Sequence, residues 1–193
     1  MQTLRETWAA SAREYRHLRT LTLVAMLVAL NIILDYVGSV QVLPELRVGF
    51  GFLTMAMVGM LFGPAVGMGA GCLTEVVSYL MNPRGAYFPG FTITAVVGGL
   101  IYGCVLYRQN VTYWRALLAK GLVNLIGNVL LNTIWLSMLY GDAFTALLPL
   151  RLLKNAALCP LEALMLFVVA GLVRRVAIGM GLWREQDGRI VQP

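Results

Sequence analysis

Charged residues are scarce in this chain of 193 residues. They make up 12% of it, roughly half the share of a soluble domain. Histidine and cysteine are also scarce, with one and three residues. One histidine cannot build a metal site, and three cysteines in apolar stretches are expected to be small buried hydrophobes without disulfides. Together with a hydrophobic share of 59%, this composition predicts a membrane protein with several spans.

Sequence motifs for nucleotide binding and hydrolysis are missing as well. The chain has no Gly-x-x-x-x-Gly-Lys-Ser/Thr, no His-Glu-x-x-His and no Gly-x-Ser-x-Gly. The single histidine, His17, lies in the basic amino-terminal segment, away from the apolar spans. We therefore expect a protein that is not an enzyme, holds no metal and needs no cofactor.

Six apolar stretches predict an all-α integral membrane bundle of six transmembrane helices. The second stretch is shorter than the ~20 residues that cross a bilayer, so we expect it to be irregular or buried among its neighbours. We predict an interfacial segment at 1–17, a membrane domain at 18–176 and a tail at 177–193. The six predicted spans are Leu18–Val37, Val48–Phe62, Ala65–Met81, Pro89–Tyr107, Ala116–Tyr140 and Leu148–Val176.

The distribution of cations predicts the orientation. Eleven of the fifteen Lys and Arg residues lie before the first span, around the connector after the fourth, and after the sixth. By the positive-inside rule these ends are cytoplasmic, which also explains the net charge of +6 without nucleic acid as a partner. Trp8, Ser11 and Tyr15 share one helical face, typical of a helix lying on the inner leaflet, with a frayed tail as the alternative. We expect Arg184–Pro193 to be disordered.

Polar residues recur at helical spacing inside three of the spans. Such stripes indicate a polar cavity that opens to the outer side, since each polar group in a membrane needs a partner or a task. The alternative is that they hold helices together, at roughly 0.6 kcal/mol per contact. The stripes are Lys120, Asn124, Asn128, Asn132 and Trp135; Glu75, Ser78, Tyr79 and Asn82; and Arg151, Lys154, Asn155 and Glu162.

The outer ends of the spans combine cations with aromatic rings. The connector "NPRGAYFPGFT" at Asn82–Thr92 supplies several of them, and Pro89 is placed to begin a helix. Cations suit the carboxylates of a ligand, and flat rings suit a planar heterocycle. Cations that reach toward lipid headgroups and an aromatic belt are the alternatives. The cations are Arg47, Arg84, Arg151 and Lys154, and the rings are Tyr87, Phe88 and Trp135.

Four motifs together resemble the folate family of substrate-binding subunits (S components) of energy-coupling factor (ECF) transporters. They are "LRVGFGFLTMAMVGMLFGPAVG", "NPRGAYFPGFTITAVVGGLIYG", "LNTIWL" and "LPLRLLKNAALCPLEALML". The resemblance covers residues 18–176 and implies a six-helix subunit that captures folate or a reduced folate from outside the bacterial cell. It also implies partners: a transmembrane scaffold subunit and two ATP-binding subunits. Ala25 and Ala29 match the family's Ala-x-x-x-Ala pattern, which packs against the scaffold.

For that ligand class we assign hypothetical roles to the polar and aromatic residues. Three other functions stay open: an S component for another vitamin or modified base, a self-sufficient ion-coupled carrier using Glu75 and Glu162, and a purely structural subunit. The candidate ligand-binding residues are Arg47, Arg84, Arg151 and Lys154 for carboxylates, Asn82, Asn132 and Asn155 for polar edges, Tyr87, Phe88 and Trp135 for stacking, and Glu75 for N–H donors of the pterin.

Overall fold

The computed structural model describes residues 4–37, 40–43, 46–81, 87–140, 148–179, 184–186 and 189–191, and all structural statements below refer to these. They form a helical bundle with two short strand pairs. The helices are α1 Leu4–Glu14, α2 Leu18–Val37, α3 Gly51–Phe62, α4 Pro64–Met81, α5 Pro89–Leu106, α6 Tyr113–Leu122, a π-helical segment Val123–Leu131, α7 Asn132–Tyr140 and α8 Leu148–Gly179; the strands are β1 Val40–Leu43, β2 Leu46–Val48, β3 Arg184–Gln186 and β4 Arg189–Val191.

Each of the six predicted spans corresponds to a helical segment with bounds within a few residues of the prediction. Four segments of the described chain are long and apolar enough to cross a membrane: Leu18–Tyr36, Pro89–Leu106, Tyr113–Leu139 and Leu152–Val176. Helix α3, with 12 residues, is too short to cross alone and is largely buried, as the sequence predicts. The chain is therefore a multi-pass membrane protein.

The fifth span is not one regular α-helix. Between α6 and α7 the chain widens into nine residues of π-helix, Val123–Leu131. In an α-helix a step of four residues rotates by ~400°, so a four-residue stripe drifts around the axis. The i→i+5 turns of a π-helix rotate less per residue and counter that drift. The two drifts have opposite sense, so the stripe from Lys120 to Asn132 stays near one face across the α and π parts of the span.

Glycines bring the backbones of α4 and α5 into close contact. A Cβ on Gly67 would lie 2.6 Å from the carbonyl oxygen of Gly99, and a Cβ on Gly103 would overlap Pro64. The sequence places Gly67 beside a polar stripe, but its role is to let the two helices touch. Small residues at a helix crossing are the usual means of close packing in a membrane, where burial of apolar side chains gains little.

Large apolar side chains cover the outside of the bundle. Leu153 on α8 is 70% exposed and Met26 on α2 is 64% exposed, as expected of surfaces that face lipid. Cys72 and Cys104 also lie on this outer surface, so the expectation that all three cysteines are buried is wrong for these two. A thiol behaves as a small apolar group, and lipid suits it as well as a protein core does.

Helix α1 is attached to the joint between α3 and α4. The Ser11 hydroxyl donates to the Phe62 carbonyl at 2.7 Å and accepts from the N–H groups of Ala65 at 3.0 Å and Val66 at 3.3 Å. The Tyr15 hydroxyl donates to the Ala65 carbonyl at 2.9 Å, and partial burial raises the pKa of its phenol. The sequence predicts that this face lies on the leaflet, but at Ser11 and Tyr15 it packs on protein.

The two strand pairs are small additions to the bundle. Strands β1 and β2 pair antiparallel between α2 and α3, and β3 pairs antiparallel with β4 near the carboxyl terminus. Disorder is therefore the wrong prediction for the residues of β3 and β4. The sequence between these strands is Asp187-Gly188, a strong signal for a two-residue hairpin turn.

Candidate functional site

Aromatic rings from α5 and α7 meet at one end of the bundle, called here the aromatic end. Phe88 precedes α5, and Pro89 is the first residue of that helix, as predicted. The rings of Phe88 and Trp135 lie 5.7 Å apart between centroids. A Cβ on Gly90 would overlap both rings, so this buried glycine makes room for them. Two predicted stacking residues are thus brought together.

Two hydroxyl groups fix the orientation of these rings. The Trp135 indole nitrogen donates to the Thr94 hydroxyl at 3.1 Å. Tyr87 shares a 2.7 Å hydrogen bond with Thr92 and lies 5.0 Å from the ring of Tyr79 on α4. The aromatic end therefore presents positioned planar surfaces, which suit a flat ring system.

The polar stripe of the fifth span is a chain of hydrogen-bonded side chains. Asn128 donates through Nδ2 to Oδ1 of Asn124 at 3.0 Å, and Asn124 donates through Nδ2 to Glu162 on α8 at 3.1 Å. Lys120 lies 3.4 Å from the same Glu162 oxygen and 3.8 Å from the ring centroid of Phe52. Lys120 and Asn124 thus join the fifth span to α8, as the structural alternative predicts, whereas the bond between Asn128 and Asn124 lies within one span.

Asn132 continues this stripe toward the aromatic end. Its side-chain oxygen is buried, and it has no hydrogen-bond partner in the part of the chain that the structure describes. A buried acceptor without a partner costs roughly 1–3 kcal/mol, so it marks a place where a donor is missing. Among the predicted site residues, Asn132 is the one with a buried side-chain acceptor that has no partner in the described ranges.

Carboxylates and amides also gather where α2, α3 and α4 meet. Glu75 on α4 and Asp35 on α2 are both partly buried and close enough to repel each other. Asn31, one turn before Asp35, donates to the Gly51 carbonyl at 2.7 Å and to the Thr54 hydroxyl at 2.6 Å. The acidic pair would favour N–H donors of a ligand, as the sequence suggests for Glu75.

The structure describes the side chain of only one of the four predicted ligand-binding cations, Lys154. Asn82 and Arg84 lie outside the described residues. Arg47 belongs to β2, where its backbone pairs with Gln41, and Arg151 belongs to α8, but the side chains of both arginines lie outside the described part. Lys154 and Asn155 are partly buried on α8 and each has an interaction partner. Lys154 is also close enough to Lys120 to repel it.

Several contributing residues escape the sequence prediction. Thr94 and Thr92 hold the aromatic side chains, and Phe52 lies under the Lys120 ammonium. A threonine in an apolar helix gives no local signal, because such residues often bond their own backbone, as Thr94 does to Gly90. No three His, Cys, Asp or Glu side chains in the described ranges group together as a metal site would require.

Comparisons with known proteins agree on one family. Residues 19–170 match the family described as "ECF transporter, substrate-specific component". The chain is 40% identical over 154 residues to the "Folate transporter FolT" of Clostridium novyi (strain NT), covering 80% of this chain and 89% of the relative. It is 35% identical over 170 residues to the "Folate transporter FolT" of Leuconostoc mesenteroides subsp. mesenteroides, covering 84% and 88%.

A solved structure shares the fold. The crystal structure of FolT bound with folic acid superposes with a TM-score of 0.71 at 30% sequence identity. The superposition covers 79% of this chain and 91% of that one. The helical arrangement described above is therefore similar to that of a protein crystallised with folic acid.

Proposed function

Since this chain belongs to the family of substrate-specific components of ECF transporters, we propose that it binds folate or a reduced folate and delivers it across the membrane. The similarity to FolT proteins in sequence and in fold carries this proposal. A substrate-specific component binds its substrate and has no need of catalytic residues. ATP hydrolysis then belongs to separate subunits, which agrees with the lack of a phosphate-binding loop here.

The aromatic end suits the rings of a folate. Folate consists of a planar pterin, an aromatic linker and a glutamate with two carboxylates. Phe88 and Trp135 offer faces for the planar parts, and the unpartnered oxygen of Asn132 offers an acceptor for a ring N–H. In this proposal Tyr87 and Glu75 complete the ring site.

The glutamate carboxylates of folate require cations. We assign this role to the arginines of the predicted set, Arg47, Arg84 and Arg151, together with Lys154, and assign Asn82 and Asn155 to polar edges. A charged hydrogen bond contributes ~1.5–3 kcal/mol. Replacing Arg151 by alanine should therefore weaken binding by about ten- to a hundredfold. Unchanged affinity in a folded Arg151→Ala protein would remove that residue from the site.

Calorimetry on the purified chain without ATPase subunits tests the proposal. We expect near-stoichiometric binding of folic acid or 5-formyltetrahydrofolate, lost in Trp135→Ala. Trp114→Ala is the matched control, because Trp114 is 75% exposed and lies at the start of α6, far along the span from Trp135. If the chain bound a different vitamin and did not bind folate, the proposed architecture would stand and the proposed ligand would be wrong. Binding of no ligand at all would favour a purely structural subunit.

The ion-coupled carrier makes a different prediction. It requires uptake into vesicles by the chain alone, driven through Glu75 and Glu162. Glu162 is engaged in an ion pair with Lys120, which leaves it less suited to take up and release a coupling ion. We expect uptake only when scaffold and ATPase subunits are present. Uptake by the chain alone, abolished in Glu75→Gln, would establish the carrier instead.

The scaffold contact is assigned to α2. Ala25 and Ala29 lie one turn apart and are both exposed, so a second helix can approach closely there. Tryptophan at Ala29 should prevent assembly with the scaffold and leave folate binding intact. Tryptophan at Ala157, an exposed alanine of α8, is the matched control. Co-purification of the subunits measures assembly, and an unaffected complex with Ala29→Trp would refute the assignment.

Both termini are proposed to lie on the cytoplasmic side of the bacterial plasma membrane, with the aromatic end outside. The carboxyl terminus can be tagged with a fluorescent protein that folds only in the cytoplasm. Fluorescent cells are expected, and a dark but inserted fusion would reverse the orientation.

A further inference from the structure

The two hydrogen bonds that link Asn128 to Asn124 and Asn124 to Glu162 run in the same direction. An amide side chain carries a donor nitrogen and an acceptor oxygen, so each can accept on one side and donate on the other. Asn124 turns its nitrogen to Glu162 and therefore offers its oxygen to Asn128. Asn128 turns its nitrogen to Asn124 and therefore keeps its own oxygen for a partner elsewhere. The side-chain nitrogens of both asparagines therefore lie on the side of Glu162.

The direction is imposed by the charge of Glu162. An ionised carboxylate accepts hydrogen bonds and donates none, so the atom of Asn124 that faces it must be the nitrogen. Lys120 is the counter-ion of Glu162, since its ammonium lies 3.4 Å from that carboxylate. The same ammonium lies over the Phe52 ring, a position that suits a cation. The pair is well shielded, because the Lys120 side chain is only 5% exposed.

At the far end of the stripe, one buried acceptor oxygen has no partner within the described part of the chain. One turn beyond Asn128, the Asn132 oxygen is buried without a partner among the described residues. Helix packing alone does not explain this arrangement, since asparagines can hold helices together in either amide orientation. A buried ion pair is also an expensive way to hold helices together, because two charges must be removed from water or lipid headgroups.

We propose that Glu162, in its ion pair with Lys120, is a positioning residue that directs the Asn128 amide oxygen toward the ligand, beside the oxygen of Asn132, and so selects a ligand edge made of N–H donors. The inference rests on the proposed function and deepens it. The pterin of folic acid has such an edge, formed by its 2-amino group and the adjacent ring N–H. Glu162 acts through Asn124 and Asn128 and is not itself expected to touch the ligand.

The test compares two ligands in three proteins. The ligands are folic acid and its analogue in which a methyl group replaces the 2-amino group, which removes N–H donors and keeps the ring and the tail. The proteins are the wild-type chain, Glu162→Gln and Asn124→Leu, each measured by calorimetry. Glutamine can donate or accept, so it no longer fixes the amide direction, whereas leucine interrupts the chain and leaves the Lys120–Glu162 pair in place. Asn110→Leu, at an exposed position between α5 and α6, is the matched control.

We expect the wild-type chain and the Asn110→Leu control to prefer folic acid by about tenfold to a hundredfold, as when a buried acceptor loses its donor. That preference should fall at least fivefold in both other variants, and the double variant Glu162→Gln/Asn124→Leu should lose no more than either alone. A general packing defect would weaken both ligands equally and leave the preference unchanged, which would overturn the inference.

The remaining outcomes are equally informative. A wild-type chain that binds both ligands equally overturns this inference and leaves the proposed function standing. A wild-type chain that binds neither overturns both. If Glu162→Gln does not fold, Asn124→Leu decides the question, since it removes the link and keeps the ion pair.

Discussion

Replacing Ser11 by alanine removes one oxygen that serves three backbone groups. Its hydroxyl is fully buried between α1 and the α3–α4 joint. It accepts hydrogen bonds from the N–H groups of Ala65 and Val66 and donates a hydrogen bond to the carbonyl of Phe62. Ser11 thus does for α4 what an N-cap residue does, although it lies on another helix.

The size of the effect follows from counting the N–H groups in the first turn of α4. Pro64 has none, and Gly67 donates to the Gly63 carbonyl at 3.0 Å. Ala65 and Val66 are the remaining two, and both depend on Ser11. Loss of a helix cap costs about 0.5–2 kcal/mol, and a buried group left without a partner costs roughly 1–3 kcal/mol. We expect Ser11→Ala to lower the free energy of unfolding by about 2 kcal/mol.

Thermal unfolding in detergent and proteolysis of α1 measure this loss. Ser11→Ala should melt several degrees lower and should release α1 to protease, while Ala12→Ser should behave like the wild type because Ala12 is exposed. The double variant Ser11→Ala/Ala12→Ser has the same composition as the wild type and should be as unstable as Ser11→Ala. A Ser11→Ala protein with unchanged melting and unchanged resistance to protease would refute the capping role.

Three further predictions concern packing, pH and an anchor of α3. Gly67→Ala should cost ~1–3 kcal/mol by forcing α4 from α5, whereas Gly171→Ala, with open space around it, should leave the melting temperature unchanged or raise it. Because burial raises the pKa of Tyr15, the stability contributed by its neutral hydroxyl is complete below the ordinary pKa of about 10 and is lost as the pH rises through the raised pKa. The protection of α1 amides from hydrogen exchange, relative to unstructured amides at the same pH, should therefore fall in that range in the wild type and not in Tyr15→Phe. Asn31→Leu should lower stability by ~1–3 kcal/mol in the same melting assay, since it removes the two hydrogen bonds that join α2 to Gly51 and Thr54 of α3.

The helical architecture could be predicted from the sequence because its signal is long and repetitive. Apolar runs of membrane length define the spans, and Pro89 marks the start of α5. The resemblance to the ECF substrate-specific components is confirmed by the family match over residues 19–170. The pairing of Phe88 with Trp135 follows the predicted aromatic cluster, since both residues lie at the same end of neighbouring spans.

Features that depend on contacts between distant residues could not be predicted in this way. Ser11 is one small polar residue in a short helix, and nothing near it in the sequence names Ala65 or Val66 as partners. The π segment looks like any apolar helix with asparagines, because its wider turns appear only in the backbone. The ion pair between Glu162 and Lys120 joins residues that are far apart in the sequence, so it is visible only once the packing of α8 is known.

The shared hydroxyl of Ser11 also sets an order of events during biosynthesis. Ser11 leaves the ribosome before the residues it caps, which follow 51 to 55 positions later. Until α4 has been synthesised and inserted, α1 has no surface to pack against. Until α1 packs there, the N–H groups in the first turn of α4 lack the Ser11 acceptor. Docking of α1 is therefore expected to follow the synthesis of α3 and of the first turn of α4, which it fastens together. A nascent chain stopped before Phe62 would lack every partner of the Ser11 hydroxyl, and completion of the α3–α4 joint is the event expected to immobilise α1.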